Sequence, residues 1–223
     1  MKKQLTNKLF YNKYLYSLNC INPMTAIFRN KNFRFAKSVI DNMQNDYHQG
    51  LPLYLQRARR KKEINLDDFN DIKILFNEFS RTQEEYKIRC QGNNFIIYSN
   101  NKTWLQHIQS KIKSAKEFFE PDPKYVDFLL NNTHTLIVEN TDYAYKCCFS
   151  NNKIPESFAT WCEKNRNKIK ITDNALNDIK LFGSAHGRIC YVKDDSILML
   201  CNLIAGTIFN RIDKLVCRQN IDK

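Results

Sequence analysis

The segment YKIRCQGNNFIIYS at residues 86–99 constrains the chain more than any other. Apolar and polar residues alternate on both sides of QGNN, whose members tolerate positive φ, and this pattern predicts an antiparallel hairpin. A two-stranded hairpin is not stable by itself in water, so its apolar face must be covered. The flanking sequence supplies the cover. Before the hairpin, Leu66, Phe69, Ile72, Leu75, Phe76 and Phe79 form one stripe at helical spacing. Asn65 opens that helix, and Asp67 and Asp68 in its first turn complement the helix dipole. After the hairpin, Trp104, Leu105, Ile108, Ile112, Ala115 and Phe119 share a helical face until EPDP at 120–123. The residue before each proline there is pushed out of the helical region.

The same two periods run through the rest of the chain. The alternating run 9–21 reads as a strand, and 31–47 reads as an amphipathic helix with a basic first half. The segment 134–150 reads as a second hairpin, followed by a helix with Pro155 in its first turn. Residues 168–172 form a strand, Thr172 caps a helix closed by Gly183, and 188–192 and 210–218 are further strands. This order predicts an α/β or α+β fold: a mixed sheet with β-hairpins and about six helices. Residues 94–172 run strand, helix, strand, strand, helix, strand, the order of a ferredoxin-like βαββαβ unit. No linker rich in Gly, Pro or Ser divides the chain. It is therefore expected to form a single globular unit (1–223) or two tightly packed halves, a basic 1–82 and an α+β 83–223. Cys90 and Trp104 are spaced as Cys147 and Trp161 are, but in so tyrosine- and isoleucine-rich a sequence the echo does not establish a repeat.

Charge is distributed unevenly. Residues 1–64 carry 13 Lys and Arg against three acids, Asp41, Asp46 and Glu63, whereas the remainder carries 22 against 20. Five cations, Arg57, Arg59, Arg60, Lys61 and Lys62, occur within six positions. An excess concentrated in under a third of a chain points to a polyanionic partner. Lysine and arginine neutralise phosphates by counterion release, and arginine forks bidentately onto them. Arg34, Lys37, Lys111 and Lys113 are candidates to extend that surface.

Four other constellations have chemistry of their own. Asp194 and Asp195, between two apolar runs in CYVKDDSILML, fit either a strand–turn–strand that presents metal-binding carboxylates or the cap of a helix. The apolar run after them is too long for an ordinary strand and average for a helix, which favours the cap. As metal ligands they would need a third acid, with Glu139 and Asp142 as the candidates. His186, Cys190, Cys201 and Cys217 have zinc-ligand chemistry without the spacing of a finger or ribbon, so no metal is expected there. The GSAHGR loop at 183–188 has the small residues of an anion-binding loop, though a plain connector needs no such role. Tyr143 and Tyr145 partly match the aromatic strand on which RNA-recognition sheets stack bases.

Eight cysteines without a CxxC pair point to reduced thiols in an intracellular protein, and no apolar run is long enough for a membrane span. The abundance of Asn, Lys, Ile, Phe and Tyr fits the AT-rich genome of a virus or mobile element. The expected function is non-catalytic binding of DNA or RNA through the basic N-terminal segment, without a cofactor. Two alternatives stay open: a metal-dependent nuclease or nucleotidyl transferase using Asp194 and Asp195, and an assembly protein docking an acidic protein partner.

Overall fold

The computed structural model describes residues 2–57 and 60–221. The chain divides into two compact units, Met1–Val126 and Asp127–Lys223. The boundary falls well beyond the 82/83 division, so the 86–99 hairpin belongs with the N-terminal helices. The architecture is α+β with mixed sheets, and seven α-helices occur among the described residues.

The first unit is built on a five-stranded sheet. In chain order its strands are β1 (Lys2–Thr6), β2 (Tyr16–Ile21), β5 (Tyr86–Gln91), β6 (Asn94–Ser99) and β7 (Ala115–Pro121). Their spatial order is β1-β7-β2-β6-β5, with β1 and β7 parallel and every other neighbouring pair antiparallel. The expected 86–99 hairpin is present as β5 and β6, turning at Gly92 with φ 62°. Between β2 and β5 lie α1 (Phe33–His48), a separate two-stranded ribbon of β3 (Tyr54–Arg57) and β4 (Arg60–Glu63), and α2 (Leu66–Arg81). Helix α3 (Lys102–Lys111) carries the chain from β6 to β7. All three helices start on asparagine: the side chains of Asn32, Asn65 and Asn101 accept from the backbone N–H groups of Phe35, Asp68 and Trp104. Leu18, Phe95, Ile97 and Phe118 on the sheet meet Phe28, Phe69, Ile72, Leu75, Leu105 and Ile108 in one core.

Two expectations for this unit are corrected. The helix after the hairpin does not reach Phe119. It stops at Lys111 because the buried carboxylate of Asp71 on α2 accepts the backbone N–H groups of Lys113 (3.1 Å) and Ser114 (2.6 Å). Residues 115–121 then pair between β1 and β2, where Phe118 is fully buried; pairing on both sides overrides the local helical period. The strand expected at 9–21 begins only at Tyr16. Tyr11 and Asn12 adopt positive φ, and Phe10 and Tyr14 close a tight turn with reciprocal backbone bonds. The rings of Phe10, Tyr11 and Tyr14 gather around Tyr98 on the outer face of the sheet.

The second unit has α4 (Val126–Asn131) at its boundary. Its strands in chain order are β8 (Thr135–Val138), β9 (Tyr145–Phe149), β10 (Ile169–Ile171), β11 (Ile189–Val192) and β12 (Phe209–Cys217). Helix α5 (Glu156–Lys164) precedes β10, α6 (Asp173–Phe182) precedes β11 and α7 (Asp195–Ala205) precedes β12. Thr172 caps α6, and Gly183 ends it in the left-handed region with φ 63°, as the sequence led us to expect. The spatial order is β10-β11-β9-β12-β8, with β12 and β8 parallel and the other pairs antiparallel.

Residues 134–150 are therefore not a hairpin, since β12 lies between β8 and β9. Ala144 just before β9 donates to the carbonyl of Val192, and its own carbonyl accepts from Leu215, so both of its neighbours are strands other than β8. The ferredoxin-like unit is likewise not formed. Of its four strands, β6 belongs to the first sheet and β8, β9 and β10 to the second, and β7 forms where its first helix was expected to continue. The two sheets instead repeat one topology. Strand by strand in chain order, β1, β2, β5, β6 and β7 match β8, β9, β10, β11 and β12 in position and sense. In both, a helix (α3 or α7) carries the chain across the middle strand to the final one.

Candidate nucleic-acid interface

Arg57 ends β3, and Arg60, Lys61 and Lys62 open β4, so these cations of the basic run lie on the ribbon. Leu53, Leu55 and Ile64 are buried in the core of the first unit, and the N–H of Ile64 donates to the carbonyl of Leu53 at 2.9 Å. Burial of these side chains contributes roughly 1.5–3 kcal/mol each and fixes the base of the ribbon. From that base the strands pair Tyr54 with Glu63, Leu55 with Lys62, Gln56 with Lys61 and Arg57 with Arg60. The signal available in the sequence was the alternation of Leu53 and Leu55, answered by Ile64 across the run of cations.

Lys61 and Lys62 are exposed and form no ion pair among the described residues. Tyr54, also exposed at 44%, lies on the ribbon face that carries Lys61. Arg59 lies outside the described residues, as do the side chains of Arg57 and Arg60. Burial lifts the carboxyl of Asp68 above its ordinary range, against the opposing pull of Asn65 and Lys62.

The other basic candidates divide by their partners. Lys37 pairs with Asp41 at 2.6 Å along α1, Lys111 with Glu78 at 2.8 Å, and Lys113 with Asp67 at 2.8 Å. Each of these charges is already answered by a carboxylate. Arg34 is exposed on the first turn of α1, with no carboxylate partner among the described residues.

Asp194 and Asp195 are at the start of a helix. Asp194 caps α7, its Oδ1 accepting from the N–H of Ile197 at 2.9 Å, and Asp195 accepts from the hydroxyl of Tyr145. Glu139 pairs with Arg218. Among the described residues no group of three His, Cys, Asp or Glu is placed to hold a metal ion. Of the four zinc-type side chains, His186 is exposed in its loop, whereas Cys190, Cys201 and Cys217 are buried free thiols. A hydrogen bond with Cys147 and burial push the Cys190 thiol well up, and burial pushes Cys201 up to about 12. Protonated thiols of this kind are poor ligands and poor nucleophiles.

In the 183–188 loop, Gly187 N–H donates to the carbonyl of Phe149 and Arg188 N–H to that of Ala185. The Arg188 guanidinium is held by Asp178 at 2.9 Å. These donors are engaged within the protein. Tyr145 packs against the core of the second unit with its hydroxyl on Asp195, and Tyr143 precedes the strand and rests near Tyr191, ring centres 6.1 Å apart. The two tyrosines thus do not form a pair of open stacking faces on one strand.

Judged by the partners already engaged, the candidates that remain are Lys61 and Tyr54 on one face of the ribbon, Lys62 on the face of Leu55, and Arg34 on α1. Among the described residues no helix is long and apolar enough to cross a membrane. Compared with known proteins, the chain matches no family model, no curated protein and no solved structure.

Proposed function

We propose that this chain is a non-catalytic nucleic-acid-binding protein that grips phosphates through the β3–β4 ribbon. The observation that carries the reading is that Lys61 and Lys62 are exposed and form no ion pair among the described residues, on a ribbon anchored by Leu53, Leu55 and Ile64. An anchored ribbon presents its cations with less side-chain and backbone freedom left to lose on binding than a loop would. The charge of the units supports it: residues 1–126 hold 22 Lys and Arg against 12 acids, and residues 127–223 hold 13 against 11.

The test is anisotropy of labelled duplex and single-stranded oligonucleotides titrated with the chain and with a variant carrying glutamine at 57, 59, 60, 61 and 62. Salt-sensitive binding by the parent and its loss in the variant are expected. Equal affinity in the two proteins removes the proposal. Mg²⁺-dependent turnover of the oligonucleotide that disappears in Asp194→Asn would replace it with the nuclease reading.

A further inference from the structure

Backbone strain and unanswered charge meet on the first sheet, on the face away from its helices. The helices cover Leu18, Cys20, Phe95, Ile97 and Phe118, and strand alternation turns their neighbours outward. That outward set includes Lys87 and Arg89 on the edge strand β5, Ile96 and Tyr98 on β6, and Asn19 and Ile21 on β2. Lys87 faces Tyr98 and Arg89 faces Ile96 across the hairpin. Both cations are exposed and form no ion pair among the described residues. Glu117 on β7 lies three strand spacings from Arg89, about 14 Å, and is bonded by Gln4 at 2.7 Å and Asn19 at 3.4 Å.

The segment before β2 adds a ring to this face. Tyr11 and Asn12 hold φ at 54° and 56°, a region that tyrosine rarely adopts. Such strain persists only where the surroundings fix it, and it gathers at binding sites. Here the Tyr11 ring stands perpendicular to that of Tyr98, centres 5.1 Å apart, with the Lys87 ammonium 3.8 Å from its own centre. The ring is still 46% exposed. The Tyr98 hydroxyl has Arg89 and Tyr11 as hydrogen-bonding neighbours. The second unit repeats the pairing. Exposed Lys170 on β10 faces Tyr191 on β11, and Tyr143, just before β9, lies against Tyr191. A lysine, its cross-strand tyrosine and a tyrosine from the segment before the middle strand thus occupy matching places in both sheets.

We propose that the outer face of the first sheet is a track for single-stranded nucleic acid, with Lys87 and Arg89 on phosphates and bases against Tyr11, Ile96 and Ile21. Two cations at alternate residues, about 6.7 Å apart along an edge strand, follow a backbone rather than enclose one small anion. Ile21, 48% exposed, and half-buried Ile96 give unpaired bases an apolar floor, a contact that a duplex does not offer. The inference rests on nucleic acid being the partner, as proposed for the ribbon, but not on the ribbon being its site.

Anisotropy of a labelled single strand of about 16 nucleotides, and of the duplex of the same sequence, tests this with the full chain. At about 0.7 of slope per phosphate, Lys87→Gln with Arg89→Gln should lower the single-strand salt slope by about 1.4, or roughly 25-fold in affinity at 0.1 M salt. The duplex should lose less than about threefold. Either single change should cost half of the slope, and suffices if the double variant misfolds. Lys87→Arg with Arg89→Lys keeps both charges and should keep the slope. Unchanged single-strand binding in the glutamine variants, a larger loss on the duplex than on the strand, or an equal loss in the charge-preserving variant overturns the proposal. So does displacement of the strand by inorganic phosphate beyond that by chloride at equal ionic strength, which would mark a free-anion site. If glutamine at 57, 59, 60, 61 and 62 leaves the strand bound while glutamine at 87 and 89 releases it, the sheet face stands and the ribbon falls. The converse pattern removes the sheet face and leaves the ribbon.

Discussion

The sharpest consequence of the ion-pair pattern is a contrast between two sets of lysines in a salt titration. Each phosphate neutralised on B-form DNA contributes about 0.9 to the slope of log K against log salt. Lys61 and Lys62 form no ion pair among the described residues, so their change to glutamine should lower the slope by about 1.8 on duplex DNA, and by about 1.4 on a single strand, where each contact counts about 0.7. At 0.1 M salt the duplex figure corresponds to roughly 60-fold weaker binding, or about 2.4 kcal/mol. Lys37, Lys111 and Lys113 are held at 2.6–2.8 Å by Asp41, Glu78 and Asp67. Changing all three to glutamine should move the slope by less than about half a unit, because a lysine already paired releases few counterions on binding. Anisotropy at four or five salt concentrations between about 0.05 and 0.3 M gives both slopes. If the paired triple costs as much slope as the ribbon pair, the binding tracks total charge rather than the ribbon, and the reasoning from partners fails.

Two further outcomes follow from the buried groups. Asp71→Asn keeps one acceptor for the N–H groups of Lys113 and Ser114 but turns an amide NH₂ towards the other, so a loss of about 2–4 kcal/mol is expected from the first unit. The chain has two tryptophans, one in each unit. Fluorescence of Trp104 in a Trp161→Phe background should therefore show a urea midpoint lowered by about 1–2 M, and a shift reported equally by Trp161 in the converse background would refute the local assignment. Cys20 and Cys201 are pushed by burial from about 9 up to about 12, so each favours the fold fully below pH 9 and loses that contribution as pH climbs towards 12. At pH 10 each thiol should cost about 1.4 kcal/mol, and urea midpoints at pH 8 and pH 10 should converge measurably in Cys201→Ala; an undiminished gap would show that this thiol titrates normally.

Where local pattern and tertiary demand agree, the elements were legible in advance. The 86–99 hairpin, the α2 stripe with its Asn65 cap, the Thr172–Gly183 helix and the start of α7 all carry capping or turn chemistry within a few residues of the element they define. The misses share one cause, a partner distant in sequence. Residues 115–121 have enough helical period to extend α3, and what makes them a strand is Asp71, more than 40 residues earlier, together with open edges on β1 and β2. Thr135–Val138 and Tyr145–Phe149 look like two arms of a hairpin until β12, over 60 residues later, takes the place between them. At the candidate site, the cluster of cations was plain from composition. Its anchoring was not, because Leu53, Leu55 and Ile64 have to be read as one face across the eight polar, charged or small residues 56–63.

The repeated topology is not the one that the sequence echo would mark, and it bears on where function is most economically placed. Cys90 and Trp104 lie on β5 and α3, whereas Cys147 and Trp161 lie on β9 and α5, so the matched spacing links positions that are not equivalent in the two sheets. True equivalents, such as β2 and β9, are preceded and followed by connections of different length, which erases any fixed period. The largest difference is between the second and third strands of each sheet. In the second unit, residues 150–168 contain a single α-helix; in the first, residues 22–85 contain α1, the ribbon and α2. A core topology that appears twice is accounted for by packing alone. Among the described residues the ribbon has no counterpart in the second unit, and it bears two exposed cations, Lys61 and Lys62, that form no ion pair. On the proposed reading, these cations are accounted for by a partner outside the chain, while Leu53, Leu55 and Ile64 tie the ribbon to the core.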